Sequence, residues 1–324
     1  MSFEHLTPDT ALSAVERAVD TRLNGLLLAL PSYINRVYEL ETEDHSRLVA
    51  KFYRPGRWSR EAVADEHRFV LDCRQAEIPV VAPLPLDKGD TLGSVDNVLF
   101  AVYPRRAGRQ FEPTTDGDWR RLGSLLARIH LRGEQRPAQS RAVIDPREST
   151  AGDIDHLCAA VIPERFREAY RTTALRLVEL CAPLFDGLER MRIHGDFHRG
   201  NILDRLDEGL LVIDFDDMAM GPPVQDIWLL LPERAVNAAR EIDLILAGYE
   251  QFRRFDRRSL RCIEPLRAMR MIYFLAWCSR QIDDYHFRRN FPDWGSDRFW
   301  QREIQDLREQ SAWVMDTIAG GDGR

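Results

Sequence analysis

His194-Gly195-Asp196-Phe197-His198-Arg199-Gly200-Asn201, followed a short way on by Ile213-Asp214-Phe215-Asp216-Asp217, is the stretch on which the reading of this chain turns. Asp196 and Asn201 share one loop, with four residues between them. Asp196 can accept or align the proton of an attacking hydroxyl, and Asn201 can turn back and offer its amide oxygen to a metal ion. Gly195 and Gly200 permit a tight backbone path. Ile202-Leu203-Asp204 reads as a strand that turns through Asp207-Glu208-Gly209 into Leu210-Leu211-Val212-Ile213. That hairpin delivers Asp214 beside Asn201. One carboxylate and one amide oxygen on adjacent strand ends make a sparse oxygen site of the kind Mg²⁺ prefers, where water and substrate oxygens complete the shell. A zinc or di-iron centre needs more histidines at coordination spacing, and His194 and His198 are the only close pair. Taken alone, the two blocks imply metal-assisted chemistry on a hydroxyl.

The bulk properties agree with an ordinary globular enzyme. The chain has 324 residues, 44% of them hydrophobic and 30% charged, enough for one large or two medium domains. A net charge of -7 disfavours a basic nucleic-acid binder. The five cysteines, Cys73, Cys158, Cys181, Cys262 and Cys278, are scattered and show no metal spacing, so buried free thiols in a reducing cytoplasm are expected. No signal peptide is expected from Met1-Ser2-Phe3-Glu4-His5. The apolar run from Ala268 to Cys278 carries Arg270 and is too short to span a bilayer.

Working outward, the first hundred residues read as short strands. Asn35 to Leu40 and Arg47 to Tyr53 flank a polar turn and predict an antiparallel hairpin, with Gly25 to Leu30 before it. Ser59 caps a predicted helix from Arg60 to about Ala76. A second hairpin turns through Asp96-Asn97 into Val98 to Tyr103. Beyond Pro104 the period becomes helical, over Trp119 to His130, Glu164 to Leu184, Pro223 to Leu230, Ala238 to Phe252, Glu264 to Gln281 and Trp300 to Ile318. The expected plan is α+β. A small β-rich lobe with one helix covers residues 1–103, a connector runs over about 103–108, and a larger helical lobe occupies residues 104–324. Ligand sites are common in clefts between such parts.

The pattern His-Gly-Asp-x-His-x-Gly-Asn, followed by an apolar-Asp-Phe-Asp-Asp strand end, resembles the aminoglycoside phosphotransferase and choline kinase group. That group is similar in fold to eukaryotic protein kinases. Ser32 to Tyr38, Val49 to Pro55, Gly108 to Glu112 and Ile263 to Arg270 narrow the resemblance to a bacterial protein-kinase member of the group. It covers nearly the whole chain, the last dozen residues least. The resemblance implies a bilobal kinase-like fold and an ATP- and Mg²⁺-dependent phosphotransferase. Asp196 would be its base, and Asn201 and Asp214 its metal ligands. Lys51, at the end of Val49-Ala50-Lys51, would hold the ATP phosphates, with Glu66 on the following helix orienting it and Glu61 as competitor. Ser32 is expected as an ATP contact.

Two features depart from protein kinases. Ser32-Tyr33-Ile34-Asn35-Arg36 stands where a glycine-rich phosphate loop is expected and holds no glycine. Gly221-Pro222-Pro223 follows the metal strand almost at once, leaving no room for a long activation loop, so regulation by phosphorylating such a loop is not expected. Strand alternation would point Asp216 to the same side as Asp214. Asp226 either caps its helix or reaches the catalytic-loop backbone. His198 is read as structural. Leu99 to Val102 and Ile213 are expected around the adenine ring. The acceptor divides three ways. The resemblance implies a serine or threonine on a protein, this chain itself among the candidates. A small alcohol such as choline, homoserine or an aminoglycoside would use the same core, with Trp277, Asp283, Asp284 and Tyr285 as a cation pocket. A non-catalytic nucleotide-binding protein is the third reading.

Overall fold

In chain order the computed structural model contains α1 (Pro8–Val19), β1 (Leu23–Leu30), β2 (Arg36–Thr42), β3 (Arg47–Phe52), α2 (Arg60–Gln75), β4 (Gly93–Val95), β5 (Val98–Pro104) and β6 (Arg109–Gln110). There follow α3 (Asp116–Gly133), α4 (Ala151–Ala160), α5 (Glu164–Cys181), β7 (Met191–Ile193), β8 (Ile202–Arg205), β9 (Gly209–Val212) and β10 (Ala219–Gly221). The chain ends with α6 (Val224–Trp228), α7 (Ala239–Tyr249), α8 (Ile263–Ser279), α9 (Phe287–Asn290) and α10 (Asp297–Gly321). The structure describes residues 3, 5–32, 34–206, 208–282 and 287–321. Asp283, Asp284 and Tyr285, expected near a cation pocket, lie outside them, as do Tyr33 and Asp207.

The N-terminal part is an antiparallel sheet in the order β1-β2-β3-β5-β4. Asp96 and Asn97 close the β4–β5 hairpin with φ of 48° and 63°, the left-handed pair that matches strand twist. Register then sorts the side chains. Val37 faces Lys51 across β2 and β3, and Val49 faces Tyr103 across β3 and β5. These four share one face because strand side chains alternate. Ala50, Phe52, Phe100 and Val102 take the other face and form a buried core with Val15 and Ala11 of α1. The Phe52 and Phe100 rings lie 5.2 Å apart.

Helix α1 is an addition to the single helix expected in this part. Its start signals are present: Thr7 Oγ1 accepts the Thr10 N–H at 3.2 Å, and Pro8 follows in the first turn. Helix α2 begins as expected, with Ser59 Oγ accepting the Ala62 N–H at 3.2 Å. Its Phe69, Val70 and Cys73 belong to the core of the larger, helical part. The segment after it pairs with β9: Val81 N donates to Val212 O at 3.1 Å, and Val212 N to Pro79 O at 2.9 Å. Both ties hold the sheet against the helical part.

The helical part is organised around α3 and α7. A capping box starts α3, Thr115 and Asp118 each accepting the other's N–H. Gly123 of α3 and Gly248 of α7 let the two backbones touch, since a Cβ at either would meet a carbonyl oxygen of the partner helix at 1.9 Å. Helix α4, not anticipated from the sequence, packs on α5 and α8, which α10 also covers, in one core around Tyr170 and Trp300. All five cysteines are buried and unbridged. Among the described residues no helix is long and apolar enough to cross a membrane.

Candidate active site

Two ladders set the candidate loops side by side. Strand β7 pairs antiparallel with β10, and β8 with β9. Residues 194–201 therefore run from β7 into β8, while residues 213–218 run from β9 into β10 alongside them. The Ile213 N–H bonds Asn201 O at 3.0 Å, and His194 Nε2 lies 3.0 Å from Ile213 O. Gly195 sits where the two segments touch. Its φ is 83°, and a Cβ there would lie 2.0 Å from Asp217 O, so only glycine fits. Gly200 has no left-handed backbone, and its missing Cβ instead leaves room for the His198 ring.

Asp226 reaches this loop instead of capping its own helix. Its carboxylate accepts the N–H groups of His194 and Gly195, both at 2.8 Å, and is fully buried. His130 of α3 lies 3.0 Å from it, and Tyr249 of α7 lies 2.9 Å from His130. The α3–α7 pair thus feeds through a buried chain of hydrogen bonds into the backbone of the loop.

Asp196 is held at both oxygens. Arg270 of α8 donates to Oδ1 at 2.8 Å, and His198 Nε2 lies 3.3 Å from Oδ2. Because His198 Nδ1 accepts the Gly200 N–H at 3.0 Å, the proton of a neutral ring sits on Nε2, facing Asp196. Burial works to raise the pKa of Asp196, but the His198 hydrogen bond and the Arg270 guanidinium outweigh it and hold the carboxyl well below the usual range. Asn201 Nδ2 donates to Asp196 O at 2.9 Å, which leaves the amide oxygen for a metal ion. Asp214 has a φ of 61° and a half-exposed side chain, so its carboxylate stands in the cleft. These two oxygens fit a hard divalent ion that keeps part of its own shell. Among the described residues no three His, Cys, Asp or Glu side chains converge as a cage for a metal.

Lys51 points across from the sheet and ends 2.8 Å from Asp214 Oδ1 and 3.3 Å from Asp216 Oδ1. Burial opposes its charge, but Asp214 and Asp216 first, and Glu66 after them, prevail and raise it well above an ordinary lysine. The expected partner Glu66 is not in this pair. It is buried behind Lys51, its Oε2 has no hydrogen bond, and Arg141 is 3.8 Å away. The two nearer aspartates take the ammonium. Burial above all pushes Glu66 up to about 7, with Lys51 opposing and Asp216 adding. Because the folded value exceeds the ordinary 4.5, Glu66 favours the folded state most at low pH, and this contribution is lost as pH rises towards and through 7. Glu66→Gln is therefore expected to flatten the fall in melting temperature between pH 5 and 8. A variant with the same slope as wild type would contradict this assignment.

Asp216 does point to the side of Asp214, though not by strand alternation. Strand β9 ends at Val212, and a turn brings Asp216 back to Lys51. Arg57, in the loop between β3 and α2, forks across the cleft to Asp216 Oδ2 at 2.7 Å and Asp217 Oδ1 at 2.6 Å. Asn35 Nδ2 adds a bond to Asp216 Oδ2 at 3.2 Å. Arg141 donates to the carbonyls of Asp216 and of Met218, the latter at 2.7 Å. Burial raises Asp217 above an ordinary aspartate, Arg57 opposing, while burial opposed and outweighed by Lys51 and Arg57 leaves Asp216 lowered. Arg57, Arg141, Asn35 and Arg270 were not singled out from the sequence. Asn35 and Arg270 lie inside the quoted resemblance blocks, and Arg57 two residues beyond one, so that resemblance was the one signal available.

Beside these groups is a cavity of about 280 Å³. Ser32, Asn35, Lys51, Glu66 and Asp214 line it on the polar side, and Val37, Val49, Val81, Leu203 and Ile213 on the apolar side. Tyr103 and residues 104–106 of the connector border it. Ile213 is where the sequence puts it. Leu99 to Val102 are not on the wall: register turns Phe100 and Val102 to the opposite core, and Ala101 packs with Val63.

An antiparallel sheet joined to a helical part, with carboxylates, an asparagine and a buried lysine at the junction, is the frame of a kinase-like phosphotransferase. The chain matches the phosphotransferase enzyme family over residues 27–263 and belongs to it. It is 36% identical over 319 residues to stress response kinase A of Salmonella paratyphi A, covering 96% of this chain and 94% of that one. It is 35% identical, over the same shares, to the serine/threonine protein kinase RdoA of Salmonella typhimurium. The fold is also that of amicoumacin kinase hAmiN, solved with AMP-PNP, Ca²⁺ and Ami, at a TM-score of 0.72 and 19% identity over 98% of this chain and 96% of that one.

Proposed function

We propose that this phosphotransferase is an ATP- and Mg²⁺-dependent serine/threonine protein kinase working in the cytoplasm. In this reading residues 1–103 form the nucleotide-binding lobe and residues 104–324 the catalytic lobe. The observation that supports it most directly is the Lys51–Asp214 contact at 2.8 Å, which joins the sheet to the segment beside Asn201 and Asp196. The apolar half of the 280 Å³ cavity takes the adenine, and Ser32 and Lys51 take the phosphates. Glu66 supports that end of the cavity from behind Lys51. Asn201 Oδ1 and Asp214 hold Mg²⁺, which when bound neutralises charge on the phosphates.

Asp196 aligns the acceptor hydroxyl. The acceptor O–H bond and the bond from Pγ to the ADP oxygen break, and a bond from the acceptor oxygen to Pγ forms. The proton leaves by way of Asp196 to solvent. A carboxylate held at low pKa by Arg270 and His198 is a weak base. That suits phosphoryl transfer, whose loose transition state asks mainly for positioning and charge stabilisation. The protein acceptor follows the 36% identity to stress response kinase A and the 35% identity to RdoA.

The test is incubation with Mg²⁺ and γ-labelled ATP, alone, with generic protein substrates, and with a panel of amino alcohols. Label on protein serine or threonine is the expected result. Label confined to a small alcohol would overturn the acceptor, and nucleotide binding with no transfer would overturn the activity.

A further inference from the structure

A second cavity, of about 120 Å³, adjoins the catalytic loop. Gly195 lines it, and so does Arg270, whose guanidinium bonds Asp196 Oδ1. The cavity is thus one side chain away from the carboxylate proposed to align the acceptor. Much of its wall is apolar, including Trp58, Ile144, Leu266 and Met269.

Two acidic residues, Asp153 and Asp217, reach this wall, and both are already engaged. Asp217 Oδ1 meets Arg57 Nη2 at 2.6 Å and accepts from Tyr273 Oη at 3.2 Å. Asp153 Oδ1 accepts from Arg280 at 3.3 Å. The Trp58 ring is engaged too, since the Arg141 guanidinium lies 3.9 Å from its centre, while Tyr273, the other ring of the wall, is tied through its hydroxyl to Asp217. A cationic acceptor is held best by an uncompensated carboxylate, and both carboxylates of this wall, like the Trp58 ring, already carry an arginine. Size sets the scale of the occupant: a cavity of about 150 Å³ holds a benzene ring, so one of about 120 Å³ takes a single group of leucine or methionine size.

We infer that this cavity seats one uncharged apolar side chain, of leucine or methionine size, from a polypeptide acceptor, within two residues of the phosphorylated serine or threonine. The inference rests on the protein-acceptor reading above and names the sequence that such an acceptor carries. It sets this chain apart from a kinase of amine-bearing alcohols, whose substrates would bring an uncompensated positive charge to a wall already balanced.

The experiment uses the full chain with Mg²⁺-ATP. Peptides identical except at the two positions on each side of a single serine carry leucine, phenylalanine, lysine, glutamate or glycine there, and amino alcohols form a parallel arm. Leucine at one of these positions is expected to raise kcat/KM about tenfold or more over lysine and glutamate, as burial of one apolar side chain predicts. Ala142 is exposed and lies on the cavity wall. Ala142→Asp, its folding checked by thermal melt, is expected to shift preference towards lysine. Met269→Ala, checked likewise, enlarges the cavity and is expected to shift preference from leucine to phenylalanine. Equal rates on leucine, lysine and glutamate peptides would overturn the inference and leave the protein-acceptor reading standing. So would a preference unmoved in both folded variants. Label on amino alcohols alone would overturn that reading itself.

Discussion

Asp196→Ala is expected to lower the rate of phosphoryl transfer by about 10²–10⁴-fold, the range general acid–base groups contribute. Nucleotide affinity should change little. Asp196 contacts Arg270, His198 and Asn201, and it does not line the cavity proposed for ATP. Its loss removes the acceptor's alignment and leaves Lys51, Asp214 and the apolar wall in place. The loss should therefore appear in kcat, with KM for ATP nearly unmoved. Single-turnover kinetics and equilibrium binding of a fluorescent ATP analogue separate the two. Turnover near the wild-type rate would remove Asp196 from the mechanism. The acidic limb of the pH profile should also not belong to Asp196, because Arg270 and His198 keep it ionised throughout the neutral range.

Arg57→Ala is expected to be the most destabilising single change at the site, costing about 3–5 kcal/mol, as removing one partner of a buried ion pair does. Arg57 is largely buried and serves two carboxylates at once, of which Asp216 is nearly inaccessible. Without it, Asp216 keeps Asn35 and Lys51. Asp217 keeps Tyr273. Lys51 would then be drawn more firmly to Asp216 and released less readily to a phosphate, so KM for ATP should rise roughly tenfold, the worth of one charge-assisted hydrogen bond. Arg57→Lys retains the charge but cannot fork, and should fall between wild type and alanine in both measurements. Urea titration reads the stability and steady-state kinetics the KM. An alanine variant as stable as wild type would show that the fork is not a structural tie.

Much of the frame was open to inspection in the sequence. The β2–β3 and β4–β5 hairpins, the Ser59 cap of α2 and the main helices of the larger part are local patterns, set by side-chain period and turn residues within a few positions. Helix α1 is equally local, with the Thr7 cap and Pro8 at its start. Two expected contacts depended on tertiary packing. Glu66 acts on Lys51 through its charge without a direct ion-pair contact, because Asp214 and Asp216 come closer to the ammonium, which strand and helix patterns do not reveal. Leu99 to Val102 did not reach the cavity because alternation turns Phe100 and Val102 to the core on α1, while Ala101 packs with Val63.

The blocks His194 to Asn201 and Ile213 to Asp217 were determined by sequence alone as two neighbouring loops, since a short hairpin between them leaves the chain little other choice. Their charges were decided only by tertiary structure. Lys51 and Arg57 reach Asp214, Asp216 and Asp217 from the sheet, and Arg270 reaches Asp196 from α8, all across long stretches of chain. Which cation meets which carboxylate depends on how the sheet docks on the helices and on which pair is nearer once water is excluded. No local pattern records that competition.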